Sequence, residues 1–415
     1  MKLLFNSSEI VTVSANGKGF KVKDEMQQLN IVSNGAMLFD DEIRFIGSEA
    51  ECREYASKNS IIIYEEINAY KKSVIPGFVD AHTHIVFGGD RTKEFAMRLR
   101  GATYKEIAEM GGGIQTTVKG TREASLEQLY EKGLSLAKSA IMHGTTTIEI
   151  KSGYSLNFEG EIKQLEAIKM LKENLDIDIS STFLGAHDFP LELKENRQKY
   201  IEIINNEMLP YIKEKKLAQF CDAFIDEGYY TVSEGRQILE HAQNMGFDLK
   251  VHCDELADVS AAKLAAELGA VSADHLLFIS DESIEAMAKS GTAAGLLPGT
   301  AYFIRLPYAP ARKLIEKGIV VSVATDCNPG SCFTENMQQI MSLSTINMRM
   351  TAEETLVAAT LNAAYALKRQ DKKGSLEIGK DADFLILDGS SYIDLFYNFG
   401  VNHVEKVYSK GKRLV

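Results

Sequence analysis

Two histidines separated by one residue follow an apolar run in the first quarter of the chain. Residues 74–79 read V-I-P-G-F-V, and His82 and His84 come directly after them in D-A-H-T-H. In an extended segment residues i and i+2 point to the same side, so the two imidazoles would be presented together. Such a pair can chelate a metal ion, although two hydrogen-bonded histidines in a loop are the alternative. The apolar strand before the pair and the glycines after it favour the metal site, which then needs further ligands downstream.

Strand-like runs recur through the middle of the chain and alternate with helix-like stretches. Residues 125–144 and 233–246 are two such stretches, and both open on Ser and close at Gly. Eight strands each followed by a helix predict an α/β fold, a (β/α)8 barrel. The predicted strands are residues 74–84, 144–151, 177–187, 219–227, 248–254, 271–278, 291–298 and 319–326.

Polar residues are concentrated at the carboxyl ends of these predicted strands, where barrels of this type carry their active groups. Five of the eight histidines fall there, which scattered core histidines would not do. His143, His241 and His403 lie on helices or in the tail and are predicted to be surface residues. The strand-end set consists of His82, His84, Tyr154, His187, His252, Glu255, His275 and Asp326.

The two ends of the chain lack this alternation and contain short strand signals instead. Asp40-Asp41 separates two apolar segments in A-M-L-F-D-D-E-I-R-F-I-G, which predicts a hairpin. Strand signals return after about residue 373. We therefore predict a small β domain built from residues 1–72 and 373–415 beside a barrel of residues 73–372.

Composition limits the partners of the protein. The formal net charge of −12 argues against nucleic acid or an anionic membrane as partner, and an anionic substrate would need a local cation. No segment reaches the roughly 18 uninterrupted apolar residues of a membrane span. The first residues lack the apolar core of a secretory signal, and the five cysteines form no C-x-x-C pair. We therefore expect a cytoplasmic protein with reduced thiols.

The order of the strand-end groups resembles the amidohydrolase superfamily, whose members bind one or two divalent metals at the barrel mouth. The resemblance implies that His82, His84, His252 and Asp326 are the metal ligands, and their nitrogen and oxygen donors suit zinc or iron. Dinuclear members carry a lysine at the end of strand four. That strand reads F-C-D-A-F-I-D-E-G here, and Lys151 lies on strand two, so we expect one Zn²⁺ or iron ion per subunit.

The same resemblance implies the catalytic groups. Glu255 follows His252 by three residues and would move a proton between the attacking water and the leaving nitrogen. His275, in S-A-D-H-L-L, would orient the water or stabilise the developing oxyanion. Asp326 is counted with these catalytic residues as well as with the ligands.

Further segments resemble one family within the superfamily, the imidazolonepropionases. They include F-G-G-D-R-T-K-E-F, R-L-R-G-A-T-Y-K-E-I, G-G-G-I-Q-T-T-V, L-L-P-G-T-A-Y-F and A-T-D-C-N-P-G-S. The resemblance implies hydrolysis of 4-imidazolone-5-propanoate to N-formimidoyl-L-glutamate in histidine degradation, by a homodimer. Cys327 and Asp188 depart from the family pattern beside site residues. The implied contacts with the small anionic substrate or product are Arg91, Tyr154, His187, Glu255, Asn328, Gly330 and Ser331.

Other functions remain open from the residues alone. A cyclic deaminase of the same superfamily, acting on a purine or pyrimidine, would share the ligands and the H-x-x-E spacing but would give no reason for Arg91 at the mouth. A phosphate-binding barrel would use N-P-G-S after strand eight, and it would leave the histidine set unexplained. A non-catalytic scaffold on the same barrel would be expected to have lost ligands, and none is missing here.

Overall fold

A computed structural model describes residues 1–101 and 112–415. Its centre is a sheet of eight parallel strands in which each strand pairs with the next along the chain, so the predicted barrel is confirmed. The motif R-L-R-G-A-T-Y-K-E-I spans residues 98–107 and lies mostly outside the described residues. Barrel strands one to eight are Phe78–Asp80, Thr145–Lys151, Asp178–Ala186, Phe220–Ile225, Asp248–Cys253, Ser272–His275, Ala293–Leu296 and Val321–Val323.

Backbone hydrogen bonds beyond the ends of strands one and eight bring the two edges of this sheet together. Thr83 forms a parallel bridge with Cys327. Asp326 N donates to His82 O at 2.9 Å, and His84 N donates to Cys327 O at 2.9 Å. The eight strands therefore form a nearly closed barrel, and the segment that carries the two histidines is part of the closure.

The single strand predicted over residues 74–84 is two strands in the structure. Ser73–Pro76 pairs with Phe384–Leu387 in a different sheet, and Phe78–Asp80 begins the barrel. The backbone changes partners at Gly77, where an added Cβ would lie 2.2 Å from Thr146 Oγ1. Since Pro76 lacks an N–H and Gly77 tolerates this close approach, the chain can pass from one sheet to the other.

Both chain ends contribute to the sheets beside the barrel. Val404–Ser409 and Lys412–Arg413 form an antiparallel pair near the carboxyl terminus. Gly35–Phe39 pairs antiparallel with Ile43–Ser48, which confirms the hairpin at Asp40-Asp41. The six-stranded sheet has the order Lys412–Arg413, Val404–Ser409, Phe384–Leu387, Ser73–Pro76, Glu9–Val11 and Ile31–Ser33, and the four-stranded sheet has the order Ile43–Ser48, Gly35–Phe39, Lys2–Phe5 and Glu65–Asn68.

We propose a small β domain from both chain ends beside the barrel, with residues 373–415 as its second part. Because Ser73–Pro76 pairs within the terminal sheet, we place the start of the barrel at Gly77 instead of residue 73.

Helices cover the outside of the barrel, and their starts follow local capping chemistry. Ser125 caps Leu126–Met142 as predicted. The helix predicted to open on Ser233 is Val232–Asn244, capped by Thr231, because Thr231 and Glu234 form a capping box. The other α-helices described are Glu49–Lys58, Thr92–Leu99, Ile114–Glu123, Phe158–Asn174, Arg197–Ile203, Leu209–Lys215, Ala261–Glu267, Asp281–Ser290, Pro298–Ile304, Ala311–Glu316, Met337–Met348, Ala352–Ala358, Leu361–Tyr365 and Asp394–Tyr397.

One histidine predicted at the surface is buried. His403 is 5% exposed, its Nδ1 lies 2.8 Å from Asp388 Oδ1, and its Nε2 lies 2.8 Å from Asn398 O. Both partners lie within 15 positions of His403, and the contacts depend on how this short segment folds back on itself, which periodicity does not reveal. Among the residues that the structure describes, no helix has the length and apolar character needed to cross a membrane.

All five cysteines lie in the described part of the chain, and each is a buried free thiol. Burial raises the pKa of the Cys52 thiol to about 11 and holds the pKa of Cys327 well above its usual range. Because the thiolate is the reactive form, we expect no thiol to react rapidly in the native protein. A chromogenic thiol titration should detect all five only after denaturation without reductant. Fewer than five under those conditions would reveal a disulfide and contradict the reduced state.

Candidate active site

The carboxyl ends of the barrel strands surround a cavity of about 580 Å³. Every predicted site residue except His82 lines it, so the folded chain brings together groups that are spread over some 250 positions of sequence. His82 contacts His84 behind the cavity wall. Side chains that the sequence patterns did not select also line it, among them Glu94, Phe95, Arg98, Phe224, Phe303 and Leu306.

Three buried imidazoles converge at the base of this cavity. His84 Nε2 lies 3.3 Å from His82 Nε2 and 3.4 Å from His252 Nε2, and the ligand atoms of the three residues all lie within 4.8 Å of one another. Asp326 Oδ1 lies 3.6 Å from His82 Nε2 and 3.5 Å from His84 Nε2. Three imidazole nitrogens and one carboxylate oxygen facing the same point are a donor set that suits a divalent transition metal.

Two aspartates orient the rings of this cluster. Asp274 Oδ2 lies 2.7 Å from His82 Nδ1, and Asp222 Oδ2 lies 3.0 Å from His252 Nδ1. Burial lowers the pKa of His82 well below its usual range, so its ring is neutral with a single proton. With that proton on Nδ1 facing the carboxylate, the Nε2 lone pair is directed at the cluster, as in carboxylate–histidine–metal arrangements. The sequence patterns missed both aspartates, although each lies on a barrel strand where a charge needs a partner.

Lys151, the lysine on strand two, does not contact the three histidines through any described hydrogen bond. Its Nζ lies 2.8 Å from Asp222 Oδ2 and 2.9 Å from Glu149 Oε1. A lysine held in two ion pairs is not placed to bridge two metal ions.

Asp326 is held at the end of strand eight by a hydroxyl and by its backbone. Thr300 Oγ1 donates to its Oδ2, which leaves Oδ1 facing the histidines. Its φ of 50° lies in the left-handed region, a conformation that costs free energy for a residue other than glycine. Burial raises the pKa of this carboxyl to about 6, with the Thr300 hydrogen bond acting in the opposite direction.

Glu255 and His275 face each other beside the cluster. Glu255 Oε2 lies 3.6 Å from His275 Nδ1, and neither ring nitrogen of His275 has a hydrogen-bond partner within the described ranges. Burial, reinforced by Asp326, raises the pKa of Glu255 well above its usual range. A buried carboxyl with a raised pKa beside a neutral imidazole with unused nitrogens can exchange protons with a bound molecule.

Arg91 is already paired in the structure. Its Nε and Nη2 lie 2.8 and 2.7 Å from Glu94 Oε2, and Thr116 Oγ1 donates to Glu94 Oε1 at 2.8 Å. The remaining nitrogen, Nη1, is directed at Gly330, where an added Cβ would lie only 2.2 Å from it. Sequence reasoning selected Arg91 and missed Glu94, although the spacing of three residues at a helix start was a signal for the pair.

The loop after strand eight is organised by Asn328. Its Oδ1 accepts from Gly330 N and Ser331 N at 2.8 Å each, and its Nδ2 donates to Asp326 O at 2.8 Å. Arg98 Nη2, on the helix Thr92–Leu99, donates to Gly330 O at 3.0 Å. The predicted substrate contacts Asn328, Gly330 and Ser331 therefore form one preorganised loop that adjoins both a candidate ligand and Arg91.

Tyr154 and His187 line another part of the cavity, next to His84. His187 Nδ1 lies 3.0 Å from Gly153 O, and burial lowers its pKa to about 3, so it donates through Nδ1 and keeps Nε2 as an acceptor. Its ring stacks on His84 with centroids 5.3 Å apart, and the Tyr154 ring is 5.1 Å away. Glu161, which the sequence patterns missed, accepts from Gly153 N and Ser155 N at 2.8 Å each and so fixes the turn that carries Tyr154.

The two departures noted in the sequence do not enter the histidine cluster. Asp188 Oδ1 accepts from Phe189 N, and its Oδ2 lies 3.3 Å from Gln115 Nε2. Cys327 is fully buried and uses its backbone to close the barrel.

A parallel barrel with buried histidines and a carboxylate at its carboxyl-terminal end is an architecture of metal-dependent hydrolases, and comparison with known proteins agrees. The model of the amidohydrolase family matches residues 73–414. The structure is also similar to that of an adenosine deaminase from Xanthomonas campestris with bound zinc. That likeness has a TM-score of 0.71 over 99% of this chain and 92% of the other, at 18% identity, and it concerns the fold.

Closer relatives match over the whole chain. The imidazolonepropionase of Geobacillus sp. strain WCH70 is 44% identical over 418 residues, covering 100% of this chain and 98% of the relative. That of Alkaliphilus oremlandii strain OhILAs is 45% identical over 413 residues, covering 99% and 97%. The chain therefore belongs to the amidohydrolase family and, within it, to the imidazolonepropionase family.

Proposed function

We propose that this protein hydrolyses the lactam C–N bond of 4-imidazolone-5-propanoate to give N-formimidoyl-L-glutamate, a step of histidine degradation. The observation that carries the proposal is one cavity lined by His84, His252, Glu255 and Arg91, with His82 completing the histidine cluster behind its wall. The full-length relatives support the same reaction. Loss of imidazolone absorbance on adding enzyme, with appearance of the formimidoyl product, tests it. No turnover by metal-loaded protein would refute it.

We propose one metal ion per chain, Zn²⁺ or iron, held by His82, His84, His252 and Asp326. Their donor atoms fit such an ion because three Nε2 atoms and one carboxylate oxygen converge. When bound, the ion would act as a Lewis acid on the lactam carbonyl and lower the pKa of a water molecule toward neutrality. The remaining chemistry comes from the chain.

The side chains around the cluster have separate tasks in this reaction. Glu255 accepts the proton of the attacking water as the new C–O bond forms, and it returns that proton to the ring nitrogen as the C–N bond breaks. The ring nitrogens of His275, which have no hydrogen-bond partner among the described residues, orient the water or stabilise the developing oxyanion. His187 Nε2 accepts a hydrogen bond from the planar ring, and Tyr154 packs beside it.

Arg91 supplies the cation for the propionate tail. The protein is acidic overall, so a carboxylate is repelled at long range and must be captured by a local positive charge. Nη1 of Arg91 packs against Gly330, which has no side chain to displace it, and both residues line the cavity, so a carboxylate bound in the cavity can accept a hydrogen bond from the guanidinium. This geometry favours an acidic substrate over the neutral bases that the deaminase alternative would require.

Replacing a proposed ligand tests the metal site directly. His252→Ala should lower bound metal from about one ion per chain to a small fraction, and activity should fall with it, because three donors hold the ion more weakly than four. Elemental analysis of the purified variant and wild type measures this, and His241→Ala, a helix histidine outside the cavity, is the matched control. Two ions per wild-type chain would rule out the mononuclear site, and unchanged metal in His252→Ala would rule out the ligand set.

We also propose that the protein is a cytoplasmic homodimer. Free buried thiols in all five cysteines support a reducing compartment. Ile346, Tyr397 and Phe399 are more than 60% exposed on neighbouring elements, an apolar surface that a second copy could cover. Light scattering after gel filtration should give twice the mass of the chain.

A further inference from the structure

Five charged side chains form one connected network in the barrel next to the histidine cluster, and the proposed reaction uses none of them. None is more than 2% exposed. Burying ionised groups is costly unless they are paired and hydrogen-bonded, so their arrangement calls for an explanation. They are Glu149 and Lys151 on strand two, Asp222 on strand four, Lys250 on strand five and Asp274 on strand six.

One chain of contacts runs from Lys151 to a proposed metal ligand. Lys151 Nζ lies 2.8 Å from Asp222 Oδ2, and the same oxygen lies 3.0 Å from His252 Nδ1. The other oxygen, Oδ1, accepts from the backbone N–H of His252 at 3.2 Å. The Asp222 carboxylate is thus held by the Lys151 ammonium group on one side. On its other side it contacts both the ring and the backbone of His252.

A second chain of contacts runs from Lys250 to another ligand. Lys250 Nζ lies 3.8 Å from Asp274 Oδ2, and that oxygen lies 2.7 Å from His82 Nδ1. Lys250 Nζ also donates to Ala81 O at 2.8 Å, next to the ligand pair. Glu149 joins the two chains, because its carboxylate lies 2.9 Å from Lys151 Nζ and 3.1 Å from Lys250 Nζ.

We propose that Lys151 and Lys250 are positioning residues of the metal site: each orients a carboxylate that in turn fixes the ring of a histidine ligand. Two ammonium groups alternate with three carboxylates, so every buried charge of the network has an oppositely charged neighbour, and the carboxylates of Asp222 and Asp274 are held against the rings of His252 and His82. The inference rests on the metal site of the proposed function and extends it to residues outside the ligand set.

A purely structural role predicts a different result. Lys373 provides the comparison, because it is also buried and also paired with two carboxylates, those of Asp381 at 2.8 Å and Asp383 at 2.6 Å. It lies beside the terminal sheet, and its two carboxylate partners do not contact a ligand histidine in the described structure. Lys151→Met and Lys373→Met should therefore both reduce thermal stability, but only the first should change metal binding.

The test uses protein stripped of metal and titrated with Zn²⁺ against a chromophoric chelator. Lys151→Met should weaken Zn²⁺ binding by about 10- to 100-fold, the range for outer partners of metal ligands, and Lys373→Met should bind like wild type. Loading with Co²⁺ adds a second readout, since the visible absorption bands should shift in Lys151→Met only. Equal Zn²⁺ affinity in both variants and wild type would overturn the proposal.

Two further variants complete the experiment. If Lys151→Met does not fold because Asp222 is left unpaired, the double variant Lys151→Met/Asp222→Asn removes both charges. It should fold and still bind Zn²⁺ about 10- to 100-fold more weakly, whereas wild-type affinity in it would refute the inference. His252→Ala separates the two hypotheses: if it binds Zn²⁺ like wild type, the metal site of the proposed function is wrong, and the positioning role fails with it.

Discussion

Replacing Glu255 by Gln is expected to lower kcat by about 10²- to 10⁴-fold while metal stays bound, the usual contribution of a general acid–base group. The amide preserves the size of the side chain but cannot accept the proton of the attacking water. Glu255 is also not a member of the converging donor set, so the variant should retain its ion. Steady-state kinetics on 4-imidazolone-5-propanoate together with elemental analysis of the same sample measure both parts of the prediction.

Glu227 offers a matched control because it is an exposed acid on the loop after strand four, outside the cavity lining. Glu227→Gln should leave both kcat and metal content near wild type. If Glu255→Gln loses less than about tenfold in kcat with metal retained, the proton acceptor lies elsewhere. His275 would then be the next candidate, since its two ring nitrogens face the cavity without partners among the described residues.

Removing the positive charge of Arg91 is expected to reduce kcat/KM by about ten- to 150-fold, the equivalent of a charge-assisted hydrogen bond of roughly 1.5–3 kcal/mol. Arg91→Met keeps much of the apolar stem and deletes the guanidinium. The loss should appear with 4-imidazolone-5-propanoate and largely vanish with an analogue that lacks the carboxylate. Wild type should hydrolyse that analogue poorly.

The pairing of Arg91 with Glu94 requires a second variant in this experiment. Arg91→Met removes the ion-pair partner of the Glu94 carboxylate, which is 9% exposed and keeps Thr116 as a partner among the described residues, and this loss would destabilise the fold for reasons unrelated to the substrate. Arg91→Met/Glu94→Gln removes both charges, so no unpaired carboxylate remains. Its kinetics then measure the contribution of Arg91 to substrate binding, separately from the stability of the fold. Arg305 is another arginine that lines the cavity, so Arg305→Met is the comparison. If this variant loses kcat/KM and the Arg91 variants do not, Arg305 is the residue that binds the carboxylate. If the wild-type enzyme hydrolyses the acid and the uncharged analogue at equal rates, Arg91 does not bind a substrate carboxylate.

The residues that we propose for direct chemical tasks could be selected from the sequence because their signal is local. His82 and His84 are two positions apart, Glu255 follows His252 by three, and each group ends a strand whose apolar pattern is visible. The order of these groups along the chain is the order of the strands around the barrel. Local sequence patterns are therefore sufficient to predict the class of site and its candidate ligands.

The supporting residues could not be recognised in the same way. Asp222 and His252 are 30 positions apart, Asp274 and His82 are 192 apart, and each pair meets only when the barrel forms. A buried acid on a strand signals that a partner exists, but which partner it has depends on which strands become neighbours. For the same reason Asn328, selected as a substrate contact, was not recognised as the residue that holds its own loop.

By itself the sequence determined the alternation of strands and helices, the capping of helices such as Leu126–Met142, and the placing of chemical groups at strand ends, because these depend on neighbours within a few residues. Tertiary structure alone decided where the chain leaves one sheet for another at Gly77, how Glu94 holds Arg91, and how Lys151 and Lys250 are connected to the histidines. Those outcomes depend on distances between segments far apart in the chain. They are set by barrel closure, which brings those segments within hydrogen-bonding distance.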